Sequence, residues 1–592
     1  MAKFIPDLNK IKTSMRPKPE VGEMFLLDLL AKELSDDWYV YFQVSIDGSH
    51  PDIVLVCQNF GVIIIEVKDW YYNSYHILKE NNSERWIVKS KNQRIKSPID
   101  QVDEYRWLVK EKLVNIINVD EYDNVIRNII GVVYFHNFTK SEINHVAIVS
   151  NKCEYYIKLL NRETCLESRF ISILNNYIFH KHRKYFSEKV TENFRNLFKP
   201  SLNWMDTMLP NELFHFNKKQ LELSTSKPEH IKFRGVAGSG KTFVLAKRAI
   251  DAFKKKGQKV LILFFNITIT NYFHDKISVF REDISWKAFE IIHFHDLIYN
   301  KIRLFVDIDY DDDYDDINVR IQKIIEMIKS GHQIEQYSTI LVDEGQDFEV
   351  EWFDFIKNYL LAPNGEYVIC ADEKQNVYNK VLEDNKIITN IPGRWNELNE
   401  SYRLAGNIKM VVQNFQQKYF PAEDSLIEGN YKMSLFDPQI FYYRTLEYNI
   451  NDDVVEVIHK MRSEGIKDSD ICIITDHHST LKSISDILKN QNINHYYVSE
   501  NKQSKKGLYL NNDLIKLVSI YSFKGWESSS VVLIIEDHMK PELLYTGMTR
   551  AFTNLYIISS NYKYEDFFDA QEQIGLLTVI KKSRPLYEEL PF

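Results

Sequence analysis

No apolar run among the 592 residues approaches the roughly 20 needed to cross a bilayer as a helix, so no membrane partner is expected. Cysteine is scarce and scattered. The five residues, Cys57, Cys153, Cys165, Cys370 and Cys472, form no CxxC pair, which excludes a zinc or disulfide framework and fits free thiols in a reducing compartment. The basic start MAKFIPDLNKIKTSMRPKPE has no apolar h-region, so a secretory leader is not expected and the chain reads as cytoplasmic. Positive charge is not in excess either. A net charge of −9 argues against a protein coated in basic residues, although a local basic groove for nucleic acid stays compatible with it. No repeat recurs at a fixed period.

What is present is the material for several ordinary globular domains. Hydrophobic residues make up 44% and charged residues 27%, and the length suits three or four domains with their own cores. Up to about residue 200, short apolar runs that read as strands (IIGVVYF at 129–135, HVAIV at 145–149) alternate with helical patterns. A proline-punctuated connector, FKPSLNWMDTMLPNELFHF, follows and includes a linker over 201–215. Beyond it IKFRGV, KVLILFF, TILVD, YVICAD, DICIIT, VSIY and VVLII alternate with helices, which predicts parallel sheets covered on both faces.

The most specific motif is Gly235-Val236-Ala237-Gly238-Ser239-Gly240-Lys241-Thr242, which fits G-x-x-x-x-G-K-[ST] in full between a strand and a helix. Glycines let backbone N–H groups turn inward around phosphate oxygens; Lys241 supplies a point charge for the β/γ-phosphates and Thr242 a ligand for Mg²⁺. About a hundred residues on, TILVDEGQDF offers Asp343 for the same Mg²⁺ and Glu344 to polarise an attacking water.

The segment around Asp343–Asp347 resembles the DExQD box of UvrD/Rep-like superfamily 1 DNA helicases, and further motifs follow in that family's order. Phe216-Asn217-Lys218-Lys219-Gln220 resembles the adenine-reading Q motif. LILFFNITIT (Phe265, Asn266) and IHFHDL (His293, His295) stand where that family contacts single strands. The resemblance implies Gln375 as γ-phosphate sensor and Tyr402 as the residue stacked on adenine. It implies Arg403 and Arg550 as arginine fingers, and a fifth motif with Lys524, Gly525 and a nucleotide-side Glu527. It also implies two RecA-like lobes, over 216–380 and 381–592, with ATP between them and a small helical insertion near 298–336. The tryptophan expected after Tyr378 is absent, and the interval from Arg403 to Lys524 is too short for the large insertion of long family members. Weak duplex unwinding follows as an expectation.

Before these lobes, residues 1–200 pose a different question. In PDIVLVCQNFGVIIIEVKDW, Asp52 is followed after thirteen residues by Glu66-Val67-Lys68, and alternate residues of a strand share a face. Carboxylates at a sheet core are costly unless paired or bound to metal. The spacing is that of PD-(D/E)xK nucleases and looks like a NERD (nuclease-related) domain. VGEMFLLDLLAKEL matches its first helix with Gly22-Glu23, and SPIDQVDEYRWLV matches its Pro-x-x-Gln with Pro98 and Gln101. The resemblance implies Mg²⁺ or Mn²⁺ on Asp52 and Glu66, with Glu23, Lys68 and Gln101 in the catalytic set.

The expected protein is therefore α/β: a PD-(D/E)xK nuclease-like domain and two RecA-like parallel-sheet lobes. It would use ATP and Mg²⁺ to move along DNA, single-stranded or duplex, and cut it in phage defence or repair. Two alternatives stay open, a DNA-sensing ATPase switch that gates cutting without sustained unwinding, and a motor carrying a non-catalytic DNA-binding domain. Self-association and an accessory defence protein are likewise left open. VDIDYDDDYDDINV (306–319) begins like an EF-hand loop but has Asp312 where that loop needs Gly and Asn318 where it needs Glu, so it is expected to be a solvated loop. Ile321, Ile324, Ile325 and Ile328 follow helical spacing and are expected in the core.

Overall fold

The computed structural model describes most of residues 2–581. Outside the description lie 118–128, 151–155, 176–187, 199–215, 306–315, 373–387, 399–405, 421–438 and 582–592, with the short gaps 1, 59, 81–82, 92, 197, 237, 447–448, 509–512, 537 and 561. The linker expected over 201–215 and the tryptophan-lacking motif after Tyr378 fall there.

The chain is α/β and builds three large sheets. The first runs Lys3–Ile5, Trp38–Phe42, Ile53–Cys57, Gly61–Lys68, Ile129–Phe135, Ile157–Asn161 in spatial order. Its central strands Ile53–Cys57 and Gly61–Lys68 pair antiparallel, with Ile53 opposite Ile65. Both consist almost wholly of buried residues, because helices cover both faces. Helix Val21–Glu33 packs Leu26, Leu27 and Leu30 into one side. Helix Pro98–Ile117 brings Tyr105 and Val109 to the other.

HVAIV at 145–149 is not a strand. It ends helix Lys140–Val149, where Thr139 and Glu142 form a capping box; Val146 is buried and Ile148 is 75% exposed. The cap and a one-residue buried stripe decide for helix where the apolar run suggested strand. The sequence also gave no warning of the antiparallel sheet Tyr75–Glu80, Ser83–Val88, Gln93–Ile95, which packs Trp86 against Phe135 and Phe138.

The second and third sheets are wholly parallel. One is ordered Phe289–His293, Val260–Phe264, Tyr337–Val342, Leu361–Ala371, His230–Gly235, Asn396–Leu398. The other is ordered His495–Tyr497, Ile515–Ser519, Ile471–Thr475, Ser528–Ile535, Ala551–Ser559, Gln439–Arg444, Thr578–Lys581. Strand Asn396–Leu398, which a boundary at 380 would give to the second lobe, pairs with the phosphate-loop strand in the first. Its carbonyl at Leu398 receives the Val236 N–H.

Helices Phe294–Ile302 and Ile317–Lys329 occupy the region of the expected insertion. Asp316 caps the second of them, so the Asp-rich run passes into helix at Ile317, while 306–315 lie outside the described residues. Ile321 and Ile324 are buried, and Ile325 and Ile328 pack against the same cluster.

The two lobes share one continuous apolar core. Gly525 has φ +87°, and a Cβ there would meet Ile269 of the other lobe at 2.6 Å. Beside it Lys524 Nζ donates to both carboxylate oxygens of Asp347 at 2.8 and 2.7 Å, with both side chains fully buried. Removing one partner strands the other charge. Lys524→Met should therefore cost about 3–5 kcal/mol in denaturant unfolding, and Lys524→Met/Asp347→Leu should recover part of it. Additive losses in the double variant would show the pair carries no coupling.

Candidate nuclease and nucleotide sites

The antiparallel register sets Asp52, just before strand Ile53–Cys57, beside Glu66 near the end of Gly61–Lys68. Asp52 Oδ2 accepts the Val67 N–H at 2.7 Å. Glu66 Oε1 accepts from Lys68 Nζ at 2.6 Å and from Gln101 Nε2 at 2.8 Å, and Gln101 Nε2 also donates to the Tyr105 hydroxyl at 2.7 Å. Gln101 reaches this point because Pro98 opens a helix that packs over strands Gly61–Lys68 and Ile129–Phe135, with Ser97 Oγ accepting the N–H groups of Ile99 and Asp100.

Glu23 enters from the first turn of helix Val21–Glu33. Its Oε2 accepts the Glu20 N–H in a capping box, while Oε1 accepts from Gln43 Nε2 at 3.0 Å. Gly22 before it is required: its N–H donates to both oxygens of Asp69, and a Cβ would lie 2.1 Å from that carboxylate.

Glu23, Asp52 and Glu66 are 1%, 2% and 4% exposed. Burial and the Asp52 charge push the carboxyls of Glu23 and Glu66 up to about 7. Glu66 Oε2 is buried with no hydrogen-bond partner. Asp52 and Glu66, side by side in the register, with an orphaned oxygen on Glu66, fit a divalent cation, which would satisfy that oxygen and favour the ionised forms.

These shifts fix a pH dependence. Carboxyls raised in the folded state contribute stability that is present below about pH 4.5 and lost as pH rises through about 7. Mn²⁺ should offset that loss, so its melting-temperature increment should be larger at pH 8 than at pH 6, and smaller in Glu66→Gln. Equal increments at both pH values in both proteins would exclude the cluster as the cation site.

Sequence reasoning missed two members of this cluster, Gln43 and Lys287. Lys287 belongs to the first parallel-sheet lobe, yet its Nζ lies 2.9 Å from Glu23 Oε1 and 2.9 Å from Asp52 Oδ1. Burial works against its charge, but the two carboxylates outweigh burial and hold the ammonium well above its ordinary range. No motif flags a lysine more than two hundred positions from its partners.

At the second site, strand His230–Gly235 delivers the phosphate loop to helix Lys241–Lys256, with Gly238 and Gly240 at φ +76° and +80°. Lys241 Nζ donates to the carbonyls of Gly235 (2.8 Å) and Val236 (3.2 Å) and pairs with Asp372 at 3.1 Å. Asp372 and Glu344 outweigh burial and raise the ammonium above its usual range. Thr242 Oγ1 donates to Asp343 Oδ2 at 3.1 Å, and burial with the Glu344 charge pushes the Asp343 carboxyl up to about 7. Glu344 stands at φ 52°, a left-handed conformation uncommon outside glycine, and Gln346 Nε2 donates to its carboxylate. Gln220 Nε2 donates to the Ser239 carbonyl at 3.0 Å, and Ser239 Oγ is buried without a partner.

Other expected residues fall elsewhere. Gln375, Tyr402 and Arg403 lie outside the described residues. Arg550 is buried, donating to the carbonyls of Thr546 and Trp526 and to Thr549 Oγ1. Glu527 accepts from the Tyr272 hydroxyl at 3.3 Å, on helix Ile269–Phe280 of the first lobe. Asn266, expected to face a nucleic-acid strand, is buried and donates to the carbonyls of Tyr521, Ser522 and Lys524 across the lobe junction. Its role here is to tie the lobes together. The half-buried Phe265, His293 and His295 form one aromatic group with the buried Trp352.

Residues 18–136 match the nuclease-related domain family, NERD. The match takes in Glu23, Asp52, Glu66, Lys68 and Gln101. No curated relative matches the chain. Solved structures similar to parts of it include the C-terminal domain of a possible DNA helicase from Lactobacillus plantarum WCFS1, at 17% identity and a TM-score of 0.22, covering 30% of this chain and 98% of that one. Another is S. cerevisiae Dbp5 bound to Gle1 and IP6, at 11% identity and a TM-score of 0.36, covering 62% and 88%. Among the described residues no helix is long and apolar enough to cross a membrane.

Proposed function

We propose that the protein is an ATP-dependent DNA translocase of the UvrD/Rep-like kind joined to a metal-dependent DNA nuclease, acting on foreign or damaged DNA. The observation that carries the nuclease half is the buried trio Glu23, Asp52 and Glu66 with the orphaned Glu66 Oε2. A divalent cation held by Asp52 and Glu66 would supply Lewis acidity to the scissile phosphate and lower the pKa of a bound water. Lys68, held by Glu66 and by Gln101 Oε1 at 3.4 Å, would orient that water, and Glu23 would extend the negative wall around the cation.

For the motor, Lys241, which donates to the Gly235 and Val236 carbonyls, would turn its ammonium to the phosphate oxygens of ATP. Thr242 and Asp343, already hydrogen-bonded to each other, would hold a Mg²⁺ that supplies positive charge at the phosphates, and Glu344 would polarise the water. Arg403 and Arg550 would complete the charge around the γ-phosphate from the second lobe, which requires Arg550 to leave its present partners. In this reading Gln220 and Tyr402 hold the base, Gln375 senses the γ-phosphate and Glu527 works from the nucleotide side.

A second reading, in which ATP turnover gates the nuclease without sustained unwinding, is favoured by Lys287, a lobe residue inside the nuclease site. The deciding experiment incubates purified protein with Mg²⁺ and single-stranded, duplex and forked DNA, with and without ATP. Cleavage and DNA-stimulated ATP hydrolysis support the proposal; ATP hydrolysis indifferent to every DNA form would refute the motor, and absence of cleavage in all conditions the nuclease.

A further inference from the structure

The loop that carries Lys287 is docked into the nuclease domain through several independent contacts. Arg16 N–H donates to the Asp283 carbonyl at 2.9 Å and Ser285 N–H donates to the Arg16 carbonyl at 2.7 Å, a two-bond bridge between domains. Ser285 Oγ donates to Gln43 Oε1, while the other end of the same amide donates to Glu23. Lys10 pairs with Asp283 at 2.6 Å. Trp286 is buried, stacked on the ring of His50 at 5.8 Å and edge-on to that of His274 at 4.5 Å. So held, the 3-10 turn Trp286–Ala288 aims Lys287 at Asp52 Oδ1 and Glu23 Oε1.

Asp52 Oδ2 is committed to the Val67 N–H, which leaves Oδ1 as the oxygen facing the cluster, and the ammonium sits on it. A divalent cation takes carboxylate oxygens at about 2.0–2.2 Å and repels a neighbouring ammonium across the same short distance. We propose that Lys287 of the motor lobe closes the nuclease site by standing in for its cation, so that cation binding and docking of the 283–288 loop exclude each other. This rests on the metal-dependent nuclease reading above and adds its regulation.

The fold also supplies a link to the second lobe. Helix Ile269–Phe280 precedes the loop directly, and on it Asn271 Nδ2 donates to Asp47 Oδ1 of the nuclease domain and to the carbonyls of Lys506 and Leu508. Three domains meet on that one amide. A second lobe that moves against the first therefore acts on the helix from which Lys287 is suspended.

The test is a calorimetric titration of the full chain with MnCl₂, without nucleotide, in wild type, Lys287→Met, Asp52→Asn and Lys287→Met/Asp52→Asn. Methionine keeps the stem and removes the charge. Lys287→Met should bind Mn²⁺ at least about tenfold more tightly, and Asp52→Asn should abolish the added affinity. In the wild type, Mn²⁺ should also speed hydrogen exchange of the Ser285 amide, a readout that does not depend on any variant folding. Equal or weaker Mn²⁺ affinity in Lys287→Met, with Ser285 exchange unchanged, overturns the plug while leaving the cation site standing. Absence of Asp52-dependent Mn²⁺ binding in wild type and Lys287→Met alike overturns both the plug and the metal-dependent reading.

Discussion

Lys241→Ala is expected to lower ATP hydrolysis by on the order of 10²–10³-fold, the usual effect of deleting one donor to a charge that develops in the transition state. From the sequence alone this looks like a change in a solvent-facing loop with little effect on stability. The structure adds a cost, because Lys241 is buried and paired with Asp372 at 3.1 Å. Its removal leaves Asp372 without that ammonium, so a lower melting temperature should accompany the loss of activity. Lys241→Met/Asp372→Asn should regain melting temperature and still fail to hydrolyse ATP. Turnover near the wild-type rate in either protein would remove Lys241 from the nucleotide site.

Glu66→Ala or Lys68→Ala should reduce DNA cleavage by about 10²–10⁴-fold while DNA-stimulated ATP hydrolysis persists. The two clusters sit on separate sheets, Asp52, Glu66 and Lys68 on the first, and Lys241, Thr242 and Asp343 around the second. Gln101→Ala should fall in the same class but with a smaller loss, since Glu66 Oε1 keeps Lys68 when the amide is gone. Parallel loss of both activities in a protein that melts normally would mean that the clusters do not act independently.

Much of this was legible in the residues. The phosphate loop, the acidic pair after TILV and the Asp52–Glu66–Lys68 spacing are local patterns, because each needs only a strand and the turn or helix beside it. Six of the seven apolar runs after residue 230 became parallel strands, since a run buried on both faces needs no partner in sequence to declare itself, while VSIY divides between strand Ile515–Ser519 and helix Ile520–Phe523. HVAIV failed as a strand because four apolar residues carry little periodicity, and the Thr139–Glu142 cap outside the run chose the helix.

Tertiary structure alone decided which distant charges meet. Lys287 with Glu23 and Asp52, Lys241 with Asp372, and Lys524 with Asp347 join residues separated by more than a hundred positions. The sequence supplies each charge, but not which distant carboxylate will neutralise it. That follows from desolvation: once packing has buried a charge, the partner within reach is set by which surfaces the fold brings together. The burial of Glu23, Asp52 and Glu66 together followed a pattern visible in the sequence, whereas Lys287 reaches them only through the docking of a second domain.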